Sequence, residues 1–217
     1  MSQLTLRAAA LLLDMDGTLV HSGGEVETVW RLWCRRHRMD PEPVLAMCHG
    51  VRSREVIRAL APQLDLAREV ALLDELEIRH TGQGEAIQGC RAVLSALPAG
   101  CWALVTSASQ EVARHRLQSA GLPLPSLLVG AQEVEHGKPD PEPYLLAAGR
   151  LGLAPADCLV FEDAPAGIRS ALAAGCPVVQ VGGKERLDPA VLAVIQDWRQ
   201  VTVRLDEGGG LQLVLLI

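Results

Sequence analysis

Aromatic residues are scarce in this chain of 217 residues, which contains four tryptophans, one tyrosine and one phenylalanine. Its interior must therefore be built from aliphatic side chains, and the hydrophobic content of 49% excludes a wholly disordered chain. Basic residues are also few, 20 against 26 acidic ones, so the net charge of −6 repels nucleic acids and anionic membranes. We expect neither nucleic acid nor a membrane as a partner.

Long apolar runs and cysteine motifs are missing as well. No stretch reaches the roughly 18 uninterrupted apolar residues of a membrane-spanning helix. The apolar run at residues 8–13 is too short for a signal sequence and is followed by Asp14. The six cysteines show no Cys-x-x-Cys spacing, which favours buried, reduced thiols. We therefore expect a soluble, cytoplasmic protein.

Short aliphatic runs alternate with amphipathic segments of helical length along the chain. Because these runs are continuously apolar, both faces of each strand should be buried, as in a parallel sheet of an α/β fold. Two further runs near the C-terminus, joined by Glu207 and three glycines, predict an antiparallel hairpin at a sheet edge. The aliphatic runs are residues 8–13, 101–105, 127–129, 158–161 and 177–181.

A long insertion separates the first two of these runs, about ninety residues where one crossover helix needs only a dozen or so. Between Glu25 and His80 the apolar side chains recur at the three- and four-residue spacing of helices. We predict a core formed by residues 1–20 and 85–217 and a helical cap domain formed by residues 21–84. The glycine-bearing segments at either end of the cap, residues 21–24 and 81–84, are the predicted hinges of a lid.

The first apolar run ends in Asp14-Met15-Asp16-Gly17-Thr18. Carboxylates two residues apart on an extended chain point to the same side. At the carboxyl end of a parallel strand they face the crevice where such sheets bind ligands. One ionised carboxylate can attack phosphorus, while the other transfers a proton to the leaving oxygen. For an Asp-x-Asp pair considered alone, a solvated acidic turn is the alternative.

Three other strand ends or loops have groups that suit a phosphate and a hard cation. Thr106 and Ser107 offer hydroxyls and turn amides to a phosphate, or else cap the next helix. Lys138, kept extended by the proline that follows it, either reaches a ligand with its ammonium or lies on the surface. Asp163 can ligate Mg²⁺ and Glu162 can hold the metal's waters, although acids at this place also cap helices.

Taken together, these stretches resemble the four motifs of the haloacid dehalogenase-like phosphatases. The insert is similar to the helical cap of the phosphoglucomutase-like branch, and residues 29–37 and 44–50 look most like its bacterial sugar and hexitol phosphatases. The resemblance implies a Rossmann-like core with an inserted helical cap, and a Mg²⁺-dependent phosphatase for a small phosphorylated metabolite such as a sugar or polyol phosphate. The motifs are Asp14-Met-Asp-Gly-Thr-Leu-Val, Thr106-Ser, Lys138-Pro-Asp-Pro-Glu-Pro-Tyr144 and Phe161-Glu-Asp-Ala-Pro-Ala-Gly167.

The resemblance also implies a role for each polar residue of the motifs. Asp14 would be the nucleophile that forms an aspartyl-phosphate, and Asp16 the general acid and base. The residues that would hold the phosphate are Thr106, Ser107 and Lys138. The groups that would hold Mg²⁺ are Asp14, the backbone carbonyl of Asp16, and Asp163.

Two alternatives to a phosphatase stay open. Sugar-phosphate mutases similar to β-phosphoglucomutase retain both acids and the same type of cap. Dehalogenases and phosphonate-cleaving relatives, in contrast, lack an acid at the position of Asp16. The other alternative is a module that binds phosphorylated metabolites without turning them over.

Substrate choice is expected to depend on the cap, whose closure would exclude water. The resemblance points to a specificity loop at His49, Gly50 and Arg52, although Arg52 equally fits an ordinary charged residue at a helix start.

Three other features of the cap can be interpreted as either functional or purely structural. The basic cluster of Arg31 and residues 35–38 either steers phosphates or forms a solvated helix face. Trp30 and Trp33 fit the cap's core better than a platform for a sugar. His21, where relatives commonly have Asp, either affects cap closure or is a plain surface residue.

Overall fold

Eleven strands and eight α-helices make up the part of the chain that the computed structural model describes, residues 2–80, 82, 84–206 and 209–217. The strands are β1 (Gln3–Ala8), β2 (Ala10–Leu13), β3 (Val20–His21), β4 (Glu85–Ala86), β5 (Trp102–Val105), β6 (Leu127–Val129), β7 (Cys158–Glu162), β8 (Val178–Val181), β9 (Ala193–Ile195), β10 (Val201–Leu205) and β11 (Leu211–Leu216). The helices are α1 (Gly23–His37), α2 (Glu42–Leu45), α3 (Ser53–Leu60), α4 (Leu66–His80), α5 (Cys90–Ala96), α6 (Gln110–Ser119), α7 (Glu142–Leu151) and α8 (Pro165–Ala173).

A parallel sheet with the strand order β6-β5-β2-β7-β8-β9 forms the core. Successive residues of β2 point to opposite faces of this sheet. Leu11 and Leu13 pack with the side chains of α5 and α6, whereas Leu12 packs with those of α7 and α8. Helices therefore cover both faces, which explains why the predicted strands are apolar throughout and confirms the Rossmann-like fold class.

The hairpin prediction was right about the pairing of β10 with β11 and wrong about its place. The two strands join β1 in a separate antiparallel sheet of order β1-β11-β10. The predicted first strand is likewise two strands, because Ala8 ends β1 and Ala10 begins β2. In β11 buried and half-buried residues alternate, as expected for a sheet with one covered face. Glu207 and Gly208 of the predicted turn lie outside the described residues.

The insertion between β3 and β4 consists of α1 to α4, as the apolar spacing predicts. These helices have a core of their own, in which Trp33 is fully buried and Trp30 packs edge-on against it, with ring centroids 5.5 Å apart. The tryptophans are thus part of the cap's interior, as predicted. Four arginines of the basic cluster lie on the solvated side of the cap: Arg31, Arg35, Arg36 and Arg38.

The chain enters and leaves the cap on paired strands. Val20 of β3 pairs with Ala86 of β4, and the exposed His21 pairs with Glu85. Gly23 and Gly24 begin α1 instead of forming a free loop. Thr81 and Gln83 of the second predicted hinge lie outside the described residues. The hinges and the boundaries at residues 20, 21, 84 and 85 stay predictions.

None of the helices in the described residues is long and apolar enough to cross a membrane.

Candidate active site

The carboxyl ends of three neighbouring strands bring the motif residues together. Asp14 follows β2, Thr106 follows β5, and Asp163 follows β7, and β2 is hydrogen-bonded to both other strands. These three residues line one cavity between the sheet and the cap, together with Asp16 and Ser107. Residues far apart in the sequence thus meet at one site, because parallel strands end at the same edge of a sheet.

Lys138 lies beneath this cavity and is only 1% exposed. Its ammonium donates to Asp14 Oδ1 at 2.6 Å, to Glu162 Oε1 at 2.7 Å and to the carbonyl of Val105 at 2.9 Å. Burial opposes the charge, but the two carboxylates outweigh burial and raise the pKa of Lys138 above its ordinary value. The surface position that the sequence left open for Lys138 is therefore excluded.

Glu162 holds Lys138 in place and is itself fixed by several hydrogen bonds. Its Oε1 also accepts the hydroxyl of Tyr144 at 3.0 Å, and its Oε2 accepts the backbone N–H groups of Asp163 at 2.9 Å and Ala164 at 3.0 Å. A Cβ at Gly167 would lie 1.5 Å from Oε1, so only glycine leaves room for this carboxylate. With donors on both oxygens, Glu162 has an observed role in holding Lys138, while a role in holding a metal's waters stays a prediction.

A cluster of three carboxylates offers a site for a hard cation. Oxygen atoms of Asp14, Glu162 and Asp163 all lie within 4.8 Å of one another. Burial, followed by repulsion from Glu162, raises the pKa of Asp14 to about 7, and the same causes raise the pKa of Asp163 to about 9. One ammonium faces three acids, so the cluster lacks positive charge. Oxygen ligands with excess negative charge fit Mg²⁺.

Gly17 gives Asp163 access to this cluster. It has a φ of +82°, which strains any residue with a side chain, and a Cβ there would lie 2.0 Å from Asp163 Oδ2. The glycine of the first motif is therefore required both by the turn and by the carboxylate packed against it.

Asp16 lines the same cavity and has partners of its own, separate from those of the three clustered acids. Its Oδ1 accepts Arg116 Nη1 at 2.7 Å and the hydroxyl of Ser22. Arg116 also donates through Nη2 to Glu77 Oε2 of the cap at 3.0 Å. Sequence reasoning missed Arg116, because an arginine in a charged helical segment looks the same whether that face is solvated or buried.

Thr106 and Ser107 do not cap the next helix. The N-cap of α6 is Ser109, whose hydroxyl accepts the N–H of Val112 at 3.3 Å. Thr106 is buried and lines the cavity, while Ser107 donates its hydroxyl to the carbonyl of Gly50 at 2.8 Å. Ser107 therefore links the core to the cap loop directly above the site.

The predicted specificity loop is divided between two places. His49 and Gly50 line the cavity, and His49 Nε2 lies 3.5 Å from Glu27 Oε1. Arg52 does not line it; its side chain is buried against the core and pairs with Glu55. The guanidinium donates to backbone carbonyls of the core at 2.8–2.9 Å, namely those of Ala131, Val134 and Glu135.

Comparison with known proteins places this geometry among phosphate-ester enzymes. A model of the haloacid dehalogenase-like hydrolase family matches residues 8–175. Hexitol phosphatase A of Escherichia coli (strain K12) is 44% identical over 212 residues, which cover 94% of this chain and 98% of that protein. Glycerol-1-phosphate phosphohydrolase 2 of Saccharomyces cerevisiae is 32% identical over 198 residues, covering 85% of this chain and 79% of that protein. A solved β-phosphoglucomutase from Clostridium difficile shares the fold, with a TM-score of 0.77, 19% identity and coverage of 89% and 92%.

Proposed function

Because the chain belongs to the haloacid dehalogenase-like hydrolases and is a phosphoric monoester hydrolase, we propose that it hydrolyses a sugar or polyol phosphate through an aspartyl-phosphate on Asp14. The observation that carries this proposal is the setting of Asp14. Lys138 occupies its Oδ1 at 2.6 Å, and within the described part of the chain no hydrogen bond ends on its Oδ2. Lys138 therefore fixes Oδ1 of Asp14, and Oδ2 of this cavity-lining carboxylate is available to attack phosphorus.

In the first step, a carboxylate oxygen of Asp14 attacks phosphorus and the bond to the ester oxygen breaks. Asp16 donates a proton to that departing oxygen, so the product leaves as an alcohol. Lys138 opposes the negative charge of the phosphoryl group through its own charge, since all three of its N–H groups already have acceptors.

In the second step, water attacks the phosphorus of the aspartyl-phosphate. Asp16, now ionised, takes the proton from that water, and the bond between Asp14 and phosphorus breaks to release phosphate. Both residues then return to their starting states. Asp14, Asp163 and the backbone carbonyl of Asp16 would hold Mg²⁺, whose positive charge would neutralise the phosphoryl oxygens.

The cap side of the cavity favours a neutral, hydroxyl-rich leaving group. Among the described residues, the cap contributes Ser53, His49 and Glu77 as polar side chains to the cavity lining, and no lysine or arginine. Arg116 of the core also lines the cavity, but Asp16 and Glu77 already pair with it, so a carboxylate or second phosphate on the substrate would face Glu77 without an uncommitted cation. Sugar and polyol phosphates have hydroxyls there instead, which can donate to this carboxylate.

The same argument disfavours the mutase alternative. A mutase that moves phosphate between two hydroxyls of a sugar passes through a bisphosphate, whose second phosphate must also be held. Among the described residues, the cap side of the lining offers only His49 as a side chain able to become cationic, and Arg116 of the core is already paired with Asp16 and Glu77. We therefore favour hydrolysis over phosphoryl transfer to a second hydroxyl.

The test is phosphate release from a panel of substrates in the presence of Mg²⁺. We expect kcat/KM for hexitol, glycerol and hexose monophosphates to exceed that for phosphoglycolate and hexose bisphosphates by at least about tenfold, a difference of 1.4 kcal/mol. Chelation should abolish release, and added Mg²⁺ should restore it. Asp14→Asn should be folded and inactive.

Three outcomes would contradict the proposal. Interconversion of sugar phosphates with little free phosphate would identify a mutase. Tight binding without turnover would identify a binding module. Turnover by Asp14→Asn at the wild-type rate would remove Asp14 as the nucleophile.

A further inference from the structure

We propose that Arg116 is a positioning residue, which orients the carboxylate of Asp16 for proton transfer and is itself held by Glu77 of the cap. This inference rests on the proposed function, because it concerns the residue that transfers the proton there. It assigns an arginine outside the four motifs to the reaction.

The contacts of Arg116 lie on two sides of the cavity. Its side chain is 3% exposed, and its two terminal nitrogens contact different parts of the protein. Nη1 lies 2.7 Å from Asp16 Oδ1 at the sheet edge, and Nη2 lies 3.0 Å from Glu77 Oε2 on α4. One planar guanidinium therefore connects the proton-transferring acid of the core to the cap.

Asp16 is bound at one oxygen and open at the other. Both of its hydrogen bonds, from Arg116 and from Ser22, end on Oδ1, and nothing in the described ranges donates to Oδ2. Because the terminal torsion of an aspartate is soft, fixing Oδ1 is what determines the position of Oδ2. Oδ2 is thereby left to exchange the proton with the leaving oxygen and with water.

A purely structural role accounts poorly for this arrangement. A buried ion pair is seldom more stabilising than an apolar side chain of similar volume. Arg116 also lines the cavity, and its Nε is buried without a hydrogen-bond partner among the described residues. Orientation of a reacting group, in contrast, has a large effect, because a misplacement of about 1 Å can cost about 100-fold in rate.

The test uses two substrates that differ in their need for a proton. A hexitol phosphate must leave as an alcohol and requires an acid, whereas p-nitrophenyl phosphate releases a stable phenolate. We expect Arg116→Met to lower kcat/KM for the hexitol phosphate by about 100-fold, the contribution of a positioned acid, and for the aryl ester by less than about fivefold. Asp16→Asn should show the same pattern, and Glu77→Gln the same direction with a smaller loss.

Arg114→Met is the matched control, because Arg114 is exposed on the same helix. It should leave both substrates at wild-type rates. Arg116→Lys should recover part of the loss for the hexitol phosphate, since an ammonium can still reach one carboxylate.

Equal losses for both substrates in Arg116→Met, without recovery in Arg116→Lys, would overturn the inference and leave Arg116 a structural residue. If Arg116→Met does not fold, the comparison of the two substrates in Arg116→Lys and Glu77→Gln decides in the same way. Failure of the proposed function is separate, since the wild-type protein would then release no phosphate from either ester.

Discussion

Lys138 Nζ lies 2.7 Å from Glu162 Oε1, and both side chains are almost completely buried. The carboxylate of Glu162 meets only donors, because Tyr144 and two backbone N–H groups occupy its remaining positions. An amide at this position has one accepting end, and either orientation brings its NH₂ group against donors. Replacing Glu162 by glutamine, although a conservative change, should therefore destabilise the folded protein strongly.

We expect Glu162→Gln to lower the free energy of unfolding by about 2–4 kcal/mol. Tyr144→Phe is the control, since it removes a single hydrogen bond from the same carboxylate and should cost about 1 kcal/mol. Urea unfolding of both variants without metal measures the difference. Equal midpoints for the two variants would show that Glu162 has no special role in holding Lys138.

The raised pKa values of the acidic cluster predict how stability changes with pH in the absence of metal. In the folded protein the pKa of Asp14 is raised to about 7 and that of Asp163 to about 9, well above the ordinary value of an aspartate, because burial and neighbouring acids disfavour their charge. The folded protein thus retains protons that the unfolded chain has released. The stability that these two acids contribute should be fully present below about pH 4 and should be lost as the pH rises to about 9, by a few kcal/mol in all.

Thermal unfolding in chelator and in saturating Mg²⁺, between pH 5 and 9, measures this effect. Bound Mg²⁺ replaces the missing positive charge, so the increase in Tm that it produces should grow with pH. Asp163→Asn should flatten the pH dependence in chelator. A Mg²⁺-induced shift that is constant across this range would contradict the assignment of the cluster as the metal site.

A comparison of alanine variants at Gly17 and Gly152 distinguishes the effect of backbone strain from the effect of crowding Asp163. Both have positive φ angles, +82° and +71°, but a Cβ meets Asp163 only at Gly17 and nothing within 4 Å at Gly152. Each alanine variant should lose about 1–2 kcal/mol of stability from strain. Only Gly17→Ala should also weaken Mg²⁺ activation, by about tenfold or more. Titration of activity with Mg²⁺ tests this, and equal activation curves for the two variants would refute it.

Arg52 is expected to control stability rather than substrate choice. Arg52→Gln removes the bonds to three core carbonyls and should lower the free energy of unfolding by about 2–4 kcal/mol. The ratio of kcat/KM for two alternative sugar phosphates should stay within about twofold of wild type, because Arg52 does not line the cavity. His49→Ala, at a cavity-lining residue, should change that ratio. A changed ratio in Arg52→Gln at unchanged stability would place Arg52 at the substrate.

Strands that are buried on both faces were predictable from the sequence as members of a parallel sheet, and β10 and β11 were predictable as a hairpin, but the sheet to which that hairpin belongs was not. β2, β5, β7 and β8 are buried along their whole length and apolar except for Glu162 and Gln180, because helices cover both sides of the parallel sheet. β1 has exposed residues on one face, and only its pairing with β11 makes it a strand of another sheet. β9 was not predicted from the sequence, although β6, which also has three residues, was.

The acids of the candidate site were determined by the sequence, because a carboxylate at the end of a continuously apolar run lies at the edge of a parallel sheet. The sequence predicts that Asp14 and Asp163 follow buried strands, and the structure shows that these strands, β2 and β7, are neighbours. The positions of Arg52 and Arg116 were not predictable in this way. Each is a charged residue within or beside a helix, and the sequence does not show whether its side chain faces solvent or a buried partner. Only the packing of the cap on the core decided that Arg52 binds core carbonyls and that Arg116 reaches Asp16, since these contacts join segments that no local pattern relates.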